Sequence, residues 1–534
     1  MATQRIALQY HPTELAFESN RAYANPFNDI ELDVVFTCPD RGQLRAPAYW
    51  SGGQEWRVRF VGRTPGDYRY RTECTDKANA SLHGVEGTLR VDAYDMPNPL
   101  LMRGSVRISS DHRHFEHEDS TPFLWLGDTW WMGLCRRLAW PEEFQQLTAD
   151  RVAKGFSVIQ IVAGLYPDMP PFDERGANEA GFPWKPDYSQ INPAYFDMAD
   201  LRIQSLVRAG LVPCIVGFWS YFIPWMGERR VMQHWRNLVA RYWAYPVFWC
   251  LGGEGLMPYY LSKTPKEDAE LQKKVLSELA RYVHKIDPAR HPLTVHPTSV
   301  GREQVEDPSL IDFDMLQTGH GGPSSVPNTV AKITEAVAKQ PRMPALVGEV
   351  NYEGILENSR QEIQRLIYWS CMLSGAAGHT YGANGIWQLN RPERPFGPSP
   401  HGMSWGDTPW QEAYRLPGSA HIGIGKRLLE RWQWWRLEPH PEWIEPHGMP
   451  ENAVQPYCAA IPGELRICYL PPFWGPPVVK ALERGVSYRA MYINPSDGNE
   501  LPLGKASAND KGEWPCPKAP IFRDWVLVLE REGR

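Results

Sequence analysis

From about residue 105 the chain repeats one pattern, a short apolar run closed by turn residues and followed by a stretch with apolar side chains at three- and four-residue spacing. The runs are FLWLGDT (123–129), VIQIVA (158–163), VPCIVG (212–217), FWCLGGE (248–254), PLTVHP (292–297), MLQTGH (315–320), ALVGEV (345–350) and HTYGANGIW (379–387). Helical stretches such as PEEFQQLTADRVAKG, YFDMADLRIQSLVRAG, PKEDAELQKKVLSELARYVHKI and SRQEIQRLIYWSCMLSGAAG lie between them. An apolar run joined to an amphipathic helix is the βα unit of a parallel sheet, and eight such units predict an α/β fold of the (β/α)8 TIM-barrel type. The alternative, a doubly wound open sheet, would carry a glycine-rich dinucleotide fingerprint that this chain lacks.

The flanks follow a different period. ELDVVFTC, EWRVRFV, GDYRYRTEC and GTLRVDAY alternate polar and apolar residues between Pro, Gly and Asp, as strands of an antiparallel sandwich do. The same alternation returns past Leu437 in YCAAIP, LRICYL, YRAMYI and WVLVLE. The expected organisation is an N-terminal β-sandwich at 1–100, a catalytic barrel at 101–437 and a small C-terminal β-sandwich at 438–534, with MPNPL (96–100) as a linker.

Composition narrows the function. Lys and Arg number 56 against 62 Asp and Glu, so no cationic field draws in nucleic acid. The 23 Trp, 23 Tyr and 18 Phe suit the apolar faces of sugar rings as well as they suit cores. Nine scattered cysteines without a CxxC pair argue against a zinc ribbon. The opening MATQRIALQY has no basic segment ahead of an apolar one, and no stretch reaches about 18 uncharged apolar residues, so the expectation is a cytoplasmic protein without membrane attachment, extracytoplasmic if a leader was removed. Unpaired cysteines agree with a reducing compartment.

In a parallel barrel, substrate is reached from the C-terminal ends of the strands. Those ends nominate Asp128, Gln160, Trp219, Glu254, His296, His320, Glu349 and Trp387, with Trp130, Trp131, His379 and Tyr381 beside them. Glu254 after FWCLGG and Glu349 after ALVG end the fourth and seventh strands, which places them across the mouth from one another. Two facing carboxyls are what glycosidic cleavage needs: one stays protonated for the leaving oxygen, the other attacks the anomeric carbon or activates water. The remaining nominated residues are expected to bind substrate. No metal and no cofactor is expected. DHRHFEHE (111–118) lacks HExxH spacing and alternates like an edge strand; GGEG and GHGG lack the phosphate-loop pattern; no GxSxG elbow occurs.

Several segments also carry a family resemblance. TPFLWLGDTWW, DRVAKGFSVIQIV, INPAYFDMAD, FWCLGGE, LVGEVNYEG, GAAGHTYGANGIWQ and PWQEAYRLPGSAHIG, in this order over about 105–437, resemble the apiosidase-like glycoside hydrolases, the group similar to glycoside hydrolase family 140. ANPFNDIELDVVFTCP and GDYRYRTEC are similar to the β-sandwich that often precedes this barrel, and the C-terminal part resembles a domain labelled collagen-binding. The resemblance implies a barrel hydrolase that cleaves a terminal sugar from a glycoside or polysaccharide side chain, with the acid/base at Glu254 and the nucleophile at Glu349. Relatives usually read GGD where this chain reads GGE (252–254), which displaces the carboxyl by roughly an ångström and alters donor geometry. A Glu at both strand ends points to retention of configuration. The competing reading is a non-catalytic carbohydrate-binding barrel, since fold alone does not confer activity. The expected partner is carbohydrate, with no nucleic acid and no membrane, and a homo-oligomer is compatible with this reading.

Overall fold

The computed structural model describes residues 5–94, 98–472 and 475–533. Its centre is an eight-stranded parallel sheet. The strands are β1 (Trp125–Thr129), β2 (Val158–Val162), β3 (Val212–Val216), β4 (Phe248–Cys250), β5 (Leu293–Thr294), β6 (Asp314–Gln317), β7 (Ala345–Glu349) and β8 (Gly378–Tyr381). Their spatial order is β5-β4-β3-β2-β1-β8-β7-β6. The ring closes between β5 and β6 through single bonds rather than a ladder: the Asp312 N–H donates to the Leu293 carbonyl at 2.8 Å, and Thr294 Oγ1 donates to the Phe313 carbonyl at 2.7 Å. The fold is thus the expected TIM barrel. The apolar runs are continuous because almost every strand residue is covered on both sides.

Helices follow where the three- and four-residue spacing places them, at Glu142–Ala153, Pro193–Arg208, Pro265–Ile286 and Gln361–Leu373. Pro193 and Pro265 sit in the first turn, where a missing N–H costs nothing, and Gly155 and Gly210 follow the helix ends at φ near 87°. Glu228–Tyr242, Val326–Ala338 and Pro417–Leu429 complete the outer layer. The β5–β6 connection departs from the eight-unit scheme. It holds two 3₁₀ turns, Gly301–Glu303 and Pro308–Leu310, and no α-helix among the described residues.

Ahead of the barrel, a five-stranded sheet (Arg5–Leu8, Glu86–Asp92, Gly66–Cys74, Leu32–Thr37, Gln43–Pro47 in spatial order) faces a three-stranded one (Thr13–Glu18, Glu55–Phe60, Tyr49–Gly52). Phe36 of the first meets Phe60 of the second with ring centroids 4.5 Å apart. Arg59 anchors this sandwich to the barrel helices by an ion pair with Asp200, which Arg241 also meets at 2.7 Å. Residues 96 and 97 of the expected linker lie outside the described residues, and its end enters the helical turn Pro99–Met102.

The DHRHFEHE stretch forms the middle strand, Phe115–His117, of a three-stranded sheet and not an edge. Phe115 is packed against Phe248 and Phe313, each 5.2 Å away between centroids. Behind the barrel, a six-stranded antiparallel sheet formed by residues 438–531 packs on Gln361–Leu373. Tyr469 stacks on Trp369 at 6.2 Å, and Arg365 donates to Asp524 at 2.5 Å. No helix among the described residues is long and apolar enough to cross a membrane.

Candidate active site

Glu254 follows β4 in a left-handed conformation, φ 45°, a strained position for a residue with a side chain. Gly253, just ahead of it, serves the approach of Trp219. A Cβ on Gly253 would meet the indole at 2.2 Å, so only glycine lets that ring lie against the backbone and bring Nε1 within 3.0 Å of Glu254 Oε2. Glu349 ends β7 and is 6 % exposed. Gln317, the last residue of β6, donates through Nε2 to Glu254 Oε1 and Glu349 Oε1, at 3.2 Å each. Two oxygens that share one nitrogen lie no more than twice that distance apart.

The two acids differ electrostatically. Burial, reinforced by the negative charge of Glu349, pushes the Glu254 carboxyl up to about 7, although the Trp219 N–H favours its charged form. Burial works the same way on Glu349, but His296 and His320 overcome it and hold that carboxyl well below its usual range. His320 Nε2 is 2.9 Å from Glu349 Oε1; His296 Nε2 stands 3.1 Å from Oε2, at an angle poorer than a good hydrogen bond. The other nitrogen of each ring faces a backbone N–H, that of Tyr352 for His320 at 3.4 Å and that of Glu254 for His296 at 3.5 Å. With Nδ1 accepting, each Nε2 carries a proton aimed at Glu349 even when the imidazole is neutral. Below about pH 7 one acid therefore keeps its proton while the other is ionised, the division of labour that acid-assisted displacement requires.

Both glutamates line one cavity of about 100 Å³ at the mouth of the barrel. Trp219, His320 and Trp387, nominated from the sequence, line it too. His296 stands behind Glu349, between Trp131 at 5.2 Å and Trp219 at 5.7 Å. Gln160 is buried and donates to the Gly348 carbonyl at 2.8 Å, so it supports the turn into Glu349 and does not line the cavity.

Four nominated residues stand elsewhere, mostly because of strand parity. Asp128 and Tyr381 are paired in register and both face the helices. Asp128 accepts from Arg151 Nε at 2.6 Å and Trp130 Nε1 at 2.7 Å, while the Tyr381 hydroxyl donates to Glu353 at 2.5 Å. His379, two residues before Tyr381, shares its face and lies edge-on to Tyr368, 5.7 Å away. Trp130 packs edge-on against Phe144, at 5.7 Å, and its neighbour Trp131 lines the cavity instead.

The sequence reading missed Gln317, Tyr352, Asp168, Tyr260 and Trp405, all on the cavity wall. Gln317 was within reach of the strand-end rule, but β6 stops at Gln317, three residues before His320. Among the described residues no group of three or more His, Cys, Asp or Glu side chains could hold a metal ion.

Solved structures share this architecture. A glycoside hydrolase family 5 protein from Bacteroides vulgatus ATCC 8482 is 21% identical, with a TM-score of 0.67 over 81% of this chain and 94% of its own. A structure described as a glycoside hydrolase is also 21% identical, with a TM-score of 0.66 over 81% of this chain and 98% of its own. A candidate glycoside hydrolase from the same Bacteroides strain, 17% identical, matches with a TM-score of 0.69 over 99% of this chain and 100% of its own. Among curated proteins, none matches the sequence. A family model described as "Apiosidase-like, catalytic domain" matches residues 109–436, and one for a domain of unknown function (DUF5060) matches 7–75. Fold and family together define the class of the protein as a glycosidase. The first match spans more than half of the chain, and the chain belongs to the apiosidase-like family.

Proposed function

We propose that this glycosidase removes a terminal sugar from a glycoside or polysaccharide side chain with retention of anomeric configuration, using Glu349 as nucleophile and Glu254 as acid/base. Glu349 attacks the anomeric carbon while Glu254 gives its proton to the leaving oxygen, so the glycosidic C–O bond breaks as an ester to Glu349 forms. Glu254, now a carboxylate, takes a proton from water, whose oxygen displaces Glu349 and restores both groups.

The observation that carries this reading is the shared Gln317 amide. It holds one oxygen of each carboxylate within 3.2 Å, so the gap between them is at most twice that. Retaining pairs stand roughly 5–5.5 Å apart, and inverting pairs, which need room for a water, about 6.5–9.5 Å. That bound on the nearer pair of oxygens lies close to the retaining spacing and supports retention. The opposed protonation of the two acids supports the same roles. A small cavity with aromatic walls at Trp131, Trp219 and Trp387 suits the end unit of a chain.

The test is hydrolysis of a panel of aryl furanosides and pyranosides by the wild type, Glu254→Gln and Glu349→Gln. Each substitution is expected to lower kcat at least about a hundredfold. Activity that survives either change removes that residue from the mechanism.

A further inference from the structure

A third carboxylate lines the same cavity. Asp168 lies in the loop after β2 at φ 56° and is 7 % exposed. Two hydroxyls, Tyr260 OH from the loop after β4 and Ser399 Oγ from the loop after β8, both donate to its Oδ1 at 2.6 Å. The second is itself fixed, since Trp405 Nε1 donates to Ser399 Oγ at 3.0 Å. Tyr260 is held by stacking on His401, with ring centroids 4.6 Å apart.

Three loops therefore converge to saturate one oxygen of Asp168. The other, Oδ2, accepts from no described residue and is not among the buried polar atoms without partners. Asp168 lines the cavity, and Oδ2 is the oxygen that no protein donor fills. A carboxylate oxygen so placed is a strong acceptor with nothing in the protein to satisfy it, and leaving it unpaired beneath a bound ligand is costly. No Lys or Arg lines the cavity among the described residues, and the one histidine on its wall, His320, is turned to Glu349, so an anionic ligand would meet Asp168 and Glu349 without a free cation beside it.

We propose that Asp168 is a specificity-determining residue whose Oδ2 accepts a hydrogen bond from a hydroxyl of the sugar held beside Glu254 and Glu349, and which rejects a sugar presenting a carboxylate at that place. The inference rests on the glycosidase reading of the site and adds to it the class of substrate, a sugar with a donor hydroxyl at one fixed ring position.

The test compares 4-nitrophenyl glycosides of a neutral sugar, its monodeoxy series and its uronic acid on the wild type and Asp168→Asn. The amide keeps the shape but replaces a free acceptor with a donor. In the wild type, deletion of one particular hydroxyl should lower kcat/KM about 10- to 150-fold, as expected for loss of a hydrogen bond to a charged group. In Asp168→Asn the same deletion should matter less than about threefold, and use of the uronide relative to the neutral glycoside should rise. Binding of the free sugars and their deoxy forms to Glu349→Gln, with and without Asp168→Asn, gives the same ratio without turnover. It can be followed by tryptophan fluorescence, since Trp131, Trp219, Trp387 and Trp405 line the cavity. Discrimination that is unchanged in Asp168→Asn by both measurements, or a uronide used by the wild type as well as its neutral counterpart, overturns the assignment. Failure of the underlying reading would look different: Glu254→Gln and Glu349→Gln would then retain turnover, whatever the deoxy ratio.

Discussion

Replacing Trp219 by Phe probes how the protein sets the proton on Glu254. The smaller ring can still lie against Gly253, but the N–H that now stands 3.0 Å from Glu254 Oε2 is lost. That N–H favours the charged carboxylate, so its removal must raise the pKa of Glu254 further. A hydrogen bond to a charged group contributes about 1.5–3 kcal/mol, and one pKa unit corresponds to about 1.4 kcal/mol, so the expected shift is roughly 1–2 units. The acid must be protonated to act, so activity in the wild type should fall as pH rises through about 7. In Trp219→Phe that decline should move upward by the same one to two units. The assay is kcat/KM against pH with an alkyl glycoside, whose leaving alcohol needs the proton more than a nitrophenolate does. Glu349, held below its usual range, adds no decline on the acid side until strongly acidic pH. A limb that stays in place or moves down refutes the claim that Trp219 tunes this acid.

Other consequences can be checked separately. His320→Ala removes an N–H from Glu349 Oε1 at 2.9 Å, which should raise the pKa of the nucleophile, bring an acid limb of kcat into the measurable range and lower the plateau about 10- to 150-fold. Gly253→Ala would put a Cβ 2.2 Å from the Trp219 indole, so overpacking should cost about 1–3 kcal/mol in urea unfolding, and kcat should fall as Trp219 is pushed from Glu254. Asp128→Ala removes one of the two carboxylates that meet the fully buried Arg151, Asp150 remaining at 2.5 Å, so thermal or urea denaturation should show a loss of about 1.5–3 kcal/mol while kcat/KM per folded molecule stays within about threefold.

What could be read from the sequence, and what could not, follows from the range of the forces involved. The barrel was legible because each βα unit writes its period locally, in runs such as VIQIV and in helices such as Pro265–Ile286. Glu254 and Glu349 were legible for the same reason: a charged residue closing an apolar strand marks the rim. Parity was the weak point. Asp128, His379 and Tyr381 also lie at or near strand ends, but in β1 and β8 the register turns them toward the helices, and of the adjacent Trp130 and Trp131 only the second lines the cavity. Nothing in the sequence shows where an apolar run stops being a strand, which is why His320 was noticed and Gln317 was not. Asp168, Tyr260, Ser399 and Trp405 come from three loops and meet only in the folded chain, so no local pattern could pair them. The missing helix between β5 and β6 was equally hidden, since 3₁₀ turns leave no long amphipathic period.

The most direct test of the account is the stereochemistry of the first product, followed by proton NMR in the opening minutes of hydrolysis before the sugar mutarotates. A nucleophilic Glu349 within reach of Glu254 predicts a hemiacetal of the same anomeric configuration as the substrate, with a 2-fluoro glycoside leaving a stable ester on the peptide that contains Glu349. A first product of inverted configuration, or an adduct carried by a different residue, would contradict it.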